Sequence, residues 1–136
     1  MAIEETTGEL LMAVARSLRQ RFAAAMERYD VTPGQARALR VVATRPAIRP
    51  SALADELRIS PRSATEVIDG LEARGLVARR PDPTDRRATE VAPTPEGLRV
   101  HELIHEARRA ESERFLATLP AADRAELDRL LRALSR

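Results

Sequence analysis

Residues 53–97, LADELRISPRSATEVIDGLEARGLVARRPDPTDRRATEVAPTPEG, hold the reading that decides the fold. A short segment comes first, residues 50–57, with Leu53, Ala54 and Leu57 on one face. Arg58 and Ile59 then link it to Ser60-Pro61, a helix-opening pair. The Ser hydroxyl accepts from a free backbone N–H, and Pro at the first helical position lacks an N–H that would be left unsatisfied. Ala64, Val67, Ile68 and Leu71 form the apolar stripe of this helix, and Gly75 suits its left-handed end. From Leu76 the period changes: residues 77–80 and 88–92 have strand character on either side of PDPTDRR, where Pro81, Asp82 and Pro83 are turn formers. A two-stranded hairpin is predicted, followed by a helix that starts at Thr94-Pro95.

The same helix signal stands upstream at Thr32-Pro33, where Gln35 completes a capping box. Leu39, Val41 and Val42 support a helix ending near Thr44, before the break at Arg45-Pro46. Earlier still, Leu10, Leu11, Val14, Leu18, Phe22, Met26 and Tyr29 recur at three- and four-residue steps, which predicts one amphipathic helix over residues 5–28. Downstream, Leu98, Leu103, Ile104, Ala107, Phe115 and Leu116 lie on the helix from Pro95, and Pro120 separates it from a last helix with Leu127, Leu130, Leu131 and Leu134. The expected architecture is mainly α with a small β-hairpin wing, as a single domain over 1–136. A winged helix-turn-helix lobe covers 32–93, and a helical dimerisation region covers 1–31 and 94–136.

Composition narrows the function classes. The 136 residues include no Cys, which excludes disulfide scaffolds, thiolate metal sites and cysteine chemistry. The longest apolar run, residues 10–15, is far short of the ~20 residues that span a bilayer, and the acidic start (Glu4, Glu5, Glu9) is unlike a signal peptide, so a soluble cytoplasmic protein is expected. All 23 basic side chains are Arg, against 21 acids, for a net charge of +2. With no Lys or Cys to titrate, that small charge persists to high pH, so the pI near 10.2 is not by itself a sign of nucleic acid. Its distribution says more: residues 37–87 carry 11 Arg and 7 acids, a net +4, while the rest of the chain is net −2.

A short helix, a tight turn, a capped second helix and an Arg-tipped hairpin are the parts of a winged helix-turn-helix. A capped helix can enter the major groove with its first residues against base edges, while its free N–H groups favour phosphate. The residues expected at that surface are Ser60, Pro61, Arg62, Ser63, Thr65 and Glu66. Arg62 can read guanine or hold a phosphate, Ser63 and Thr65 can do either, and Glu66 can accept from cytosine N4. Arg86 and Arg87 at the hairpin tip suit the negative potential of a narrow minor groove.

On these motifs, above all DPTDRR between strands followed by Thr-Pro-Glu-Gly, the chain resembles the MarR family of bacterial transcriptional regulators over nearly its whole length. In that family an Asp in the wing orients the Arg that enters the minor groove; the resemblance assigns these roles to Asp85 and Arg87, with Arg86 as a phosphate contact. Asp85 and Arg87 are also expected to pair across the turn. Two positions depart from the family's habit. Glu66 stands where Arg is frequent, which loses a phosphate or guanine contact and either selects cytosine or only rejects other bases, and Arg58 stands where Gly is common, at about 1 kcal/mol if the left-handed conformation is used. The resemblance further implies a homodimer built from the first helix and the last two, a palindromic double-stranded operator with half-sites roughly one turn (~10 bp) apart, repression, and a small-molecule effector such as a phenolic or aromatic acid.

Phe22, Met26 and Tyr29 are the candidate effector pocket, although such a stripe serves more often as plain core. His101 and His105, one helical turn apart, have the spacing of a zinc pair but no evident third ligand; solvated or interface histidines are the expectation, with no metal and no cofactor. The sequence has neither a Gly-rich phosphate loop nor a nucleophile elbow, so no enzyme is expected. The alternative is a helical dimeric interaction module whose winged domain binds a protein partner; salt dependence separates it from a phosphate-dominated DNA complex.

Overall fold

The computed structural model describes residues 3–136 and divides into two compact units, Met26–Glu106 and Met1–Ala25 with Ala107–Arg136. The lobe expected at 32–93 lies within the first of these. Its elements are α2 (Pro33–Ala43), α3 (Pro50–Leu57), α4 (Pro61–Ala73), β1 (Val77–Pro81) and β2 (Thr89–Pro93). Helix α1 (Thr7–Met26) precedes them through a 3-10 turn at Glu27–Tyr29, and α5 (Pro95–Leu116) and α6 (Ala121–Leu134) follow.

The Pro-marked starts form as their chemistry requires. Thr32 Oγ1 accepts from the Gln35 N–H at 3.1 Å while Gln35 Oε1 accepts from the Thr32 N–H at 3.1 Å. Ser60 Oγ accepts from the Ser63 N–H at 3.0 Å. α1 begins two residues later than its apolar period suggests, because Thr6 and Glu9 form a further capping box: the Thr6 N–H donates to Glu9 Oε2 at 2.7 Å and the Glu9 N–H to Thr6 Oγ1 at 3.2 Å. It ends at Met26, and Asp30, in the left-handed conformation at φ 55°, closes the following turn.

The core of the lobe gathers Leu39 and Val42 of α2, Leu53 of α3, Ile68 and Leu71 of α4, and Leu76, Val77 and Val91 of the hairpin, all essentially closed to solvent. Each such side chain contributes about 1.5–3 kcal/mol over exposure. β1 and β2 pair antiparallel with Arg79 opposite Val91 and Arg80 opposite Glu90. Beyond β2, Ile48 forms an isolated bridge to Val91, exchanging N–H···O bonds of 3.1 and 2.7 Å. A single residue gives no alternating pattern to read, so this third rung was not expected.

α3 and α4 both end on a left-handed residue, and the N–H after it returns to the carbonyl five residues back: Ile59 to Ala54 and Leu76 to Leu71, both at 3.0 Å. Gly75 fills the second position, at φ 71°. Arg58 fills the first, at φ 55° and ψ 46°, so the left-handed conformation that Gly commonly supplies here is used.

The start of α5 is pinned to the end of α4. The Leu76 carbonyl accepts from the Thr94 N–H at 3.1 Å, the Thr94 hydroxyl donates to the Gly75 carbonyl at 2.6 Å, and Thr94 Oγ1 accepts from the Gly97 N–H at 3.0 Å. A Cβ on Gly97 would stand 1.8 Å from the Leu76 oxygen. Gly97→Ala should therefore destabilise the protein by about 3 kcal/mol in chemical denaturation. Gly34→Ala, where the nearest heavy atom to a new Cβ is 3.9 Å away, should cost little or nothing.

Candidate nucleic-acid interface

α4 presents its first turn outward. Ala64, Ile68 and Leu71 are buried and Val67 half-buried, which leaves Ser60, Pro61, Arg62, Thr65 and Glu66 exposed. Ser63 is half-buried, because its N–H and hydroxyl are both engaged by Ser60 Oγ, at 3.0 Å each. Thr65 Oγ1 donates to the Pro61 carbonyl at 3.0 Å. Arg62 and Glu66 sit one turn apart with Nε and Oε1 at 3.7 Å, and 91% and 70% of their side-chain surfaces are open. Such an exposed pair is held by well under 1 kcal/mol and can be opened by a ligand. The first turn of α4 thus offers donors, one cation and one anion within a helical turn.

The hairpin is braced to the lobe by other arginines. Arg79 reaches Asp69 at 2.6 Å and Glu72 at 2.8 Å, which ties β1 to α4. Arg80 pairs with Glu90, its cross-strand neighbour, at 2.7 Å. At the base of the loop Asp82 accepts from the Thr84 N–H at 2.8 Å and the Thr84 hydroxyl at 2.7 Å on one oxygen, and from Arg49 Nε at 2.9 Å on the other. Arg49 directly precedes α3, so the wing is anchored to the helix-turn-helix. Neither Arg49 nor Asp82 was among the expected site residues; the Asp-x-Thr spacing is a local turn signal, but the Arg49 contact spans 33 residues.

At the tip, the Ala88 N–H donates to the Asp85 carbonyl at 3.0 Å, which makes Arg86 and Arg87 the two central residues of a tight turn. Asp85 Oδ1 accepts from the Arg87 backbone N–H at 3.0 Å. The pairing expected between these two side chains is thus replaced by a side chain to main chain bond, since an Asp carboxylate two residues before an N–H closes a local turn more readily than it reaches a guanidinium pointing outward. Arg86 and Arg87 are exposed, with no ion pair among the described residues.

The remaining candidates lie elsewhere. Met26 is buried, and Phe22 and Tyr29 are half-buried, with Phe22 in one compact unit and Met26 and Tyr29 in the other. Arg108 stacks over the Phe22 ring at 4.7 Å. The His101 and His105 rings are 6.3 Å apart. Burial lowers the His101 pKa from the usual imidazole range, the His105 and Arg40 charges add to this, and Glu102 opposes it. Among the described residues no group of three His, Cys, Asp or Glu is placed to hold a metal, and no helix is long and apolar enough to cross a membrane.

Residues 29–88, from the turn after α1 through the wing tip, match the MarR family model. A transcriptional regulatory protein assigned to the hcr operon of Thauera aromatica is 37% identical over 106 residues, covering 78% of this chain; the chain spans only 64% of that protein's length. The chain belongs to the MarR family. Among solved MarR-family structures, Rv2887 of Mycobacterium tuberculosis, a transcriptional repressor crystallised with salicylic acid, is 28% identical with a TM-score of 0.79, covering 98% of this chain and 99% of its own. A mutant of E. coli MarR complexed with operator DNA is 25% identical with a TM-score of 0.76, covering 93% of this chain and 91% of its own. None of these matches supports the protein-interaction alternative.

The geometry of the wing base sets a measurable pH response. The Thr84 N–H, the Thr84 hydroxyl and Arg49 hold the Asp82 carboxyl at about 2, below the ordinary ~3.9. A depressed pKa stabilises the folded wing above the unfolded value, so that contribution is present above about pH 4 and lost as pH falls through about 2. A carboxyl-carbon NMR titration should find the Asp82 midpoint near 2. In Arg49→Gln it should move upward but stay below the ordinary value, because the Thr84 bonds remain.

Proposed function

We propose that this MarR-family chain is a ligand-responsive repressor that binds a palindromic operator in double-stranded DNA as a homodimer. The reading rests on one observation: a capped helix start with open polar side chains and a tight turn carrying two free arginines belong to the same braced lobe. α4 enters the major groove through Ser60, Pro61, Arg62, Ser63, Thr65 and Glu66. Arg62 supplies a guanine or phosphate contact, and Glu66 favours cytosine, whose N4 amine is a donor. Arg86 and Arg87 lie along the backbone and minor groove, with Asp85 holding the Arg87 main chain in place. The operator DNA bound by the E. coli relative supports the operator-binding reading.

The homodimer reading draws on apolar residues left open in the other unit: Leu10, Leu11, Met12 and Val14 of α1, and Leu130, Leu131 and Leu134 of α6. Large apolar side chains left open in such number on two helices suit a partner that covers them. The protein works in the cytoplasm as a binding protein rather than an enzyme, in keeping with relatives named as regulators and repressors.

The test is fluorescence anisotropy with a duplex from the region upstream of the protein's own gene, over a range of salt concentrations. Wild type should bind with two chains per site and weaken steeply with salt. Arg87→Ala should lose roughly ten-fold in affinity, and its slope of log affinity against log salt should be shallower by about 1.8 per dimer. If wild-type binding is absent or insensitive to salt, the DNA reading is wrong.

Rv2887 holds salicylic acid, and we assign an aromatic acid as the effector class here as well. Salicylate should raise the thermal midpoint of the free protein and release it from the duplex. A screen in which phenolic and aromatic acids do neither rejects that class.

A further inference from the structure

The left-handed caps that end α3 and α4 are alike in geometry and opposite in residue choice, and Asp30 is the other residue with a side chain held at φ 55° among the described residues. Gly75 ends α4 and pays no steric penalty at φ 71°; Arg58 ends α3 at φ 55°, where a side chain is disfavoured. A side chain kept in that conformation is a place to look for a function.

The ion pairs indicate what that function is. Of the arginines from Arg45 to Arg87, five are engaged in holding the lobe: Arg45 with Glu56 at 2.6 Å, Arg49 with Asp82, Arg79 with Asp69 and Glu72, Arg80 with Glu90, and Arg74 with the carbonyls of Tyr29 and Asp30. Arg62 is loosely paired with Glu66. That leaves Arg58, Arg86 and Arg87, all exposed, without ion pairs among the described residues. Arg58 follows directly on a segment holding Asp55 and Glu56, yet pairs with neither: its backbone N–H donates to the Asp55 carbonyl at 3.2 Å, and Glu56 is taken by Arg45. It stands two residues before the Ser60 cap and four before Arg62. The turn therefore sets an exposed arginine, without an ion pair among the described residues, two residues before the cap of α4, at the helix end whose dipole favours anions.

We propose that Arg58 is a phosphate clamp. Its guanidinium grips one backbone phosphate at the edge of the major groove and fixes the depth and register at which α4 enters, without reading sequence. A guanidinium suits the task because it is always charged, weakly hydrated and able to make two parallel hydrogen bonds to phosphate oxygens. The inference rests on the operator-binding reading above and adds a contact to it.

The test compares full-length wild type, Arg58→Gly and Arg58→Lys in salt-dependent anisotropy with the upstream duplex and with an unrelated duplex, alongside chemical denaturation. Arg58→Gly should unfold at the same or a higher denaturant midpoint, since glycine relieves the left-handed strain. It should bind both duplexes roughly ten-fold more weakly, with a slope shallower by about 1.8 per dimer, one phosphate in each protomer. The ratio between the two duplexes should stay unchanged, and Arg58→Lys, which keeps the charge, should recover most of the slope. Wild-type affinity and slope in Arg58→Gly overturn the clamp while leaving operator binding intact. Loss of the ratio with the slope preserved also overturns it, because Arg58 would then be a base reader. No salt-sensitive binding by wild type brings down both readings.

Discussion

The Leu76 carbonyl is where the winged lobe closes. It receives the Thr94 N–H at the end of β2, and it lies so near Gly97 that no side chain fits there. Four elements meet at that oxygen: α4 has just ended, β1 is about to begin, β2 has just finished and α5 starts. The hydroxyl of Thr94 completes the junction by capping α5 with one lone pair while donating its proton to the Gly75 carbonyl. Because α4 runs directly into the hairpin at this junction, the direction of the helix fixes the base of the wing. The Arg79 bridge to Asp69 and Glu72 and the Arg49 bridge to Asp82 then limit how far the wing can swing.

A chain whose only cations besides histidine are arginines uses the same side chain for two purposes, and local geometry decides which. Where a carboxylate lies within reach across a strand pair or from a neighbouring helix, the guanidinium becomes a brace, as at Arg79 and Arg80. At Arg58, Arg86 and Arg87 in the turns, and at Arg37 and Arg40 on the outer face of α2, no ion pair forms among the described residues and the charge stays available. The near-neutral total of +2 therefore conceals a lobe whose acids are largely spent on bracing, with free positive charge at its protruding turns.

Local chemistry was legible to the extent that it is local. Thr32, Ser60 and Thr94 announce helix starts because cap and first-turn N–H groups lie three residues apart, and α3 spans Pro50–Leu57 as its apolar face and its proline indicate. The left-handed state of Gly75 follows from its place after the last helical turn, while that of Arg58 is decided only in the folded turn. The apolar period of α1 extends two residues beyond each end of the helix, and the Thr6–Glu9 box, a local hydrogen-bonding device, sets its first turn instead. The Asp85-x-Arg87 spacing marks the residues of the tip, but sequence does not say whether the carboxylate will find the guanidinium or, as it does, the nearer N–H.

Contacts between distant segments were not legible at all. Ile48 joins the sheet by one residue, Arg49 meets Asp82 across 33 positions, and Gly97 is required by the Leu76 oxygen rather than by any turn of its own. The sequence by itself determined where helices start and stop, which faces are apolar, and that a capped helix and an Arg-tipped hairpin share one lobe, since each depends on residues within a turn or two. Only the tertiary structure decided which arginines are spent as braces and which remain free, because neutralising a charge requires a carboxylate within about 4 Å, and that distance is set by packing between elements.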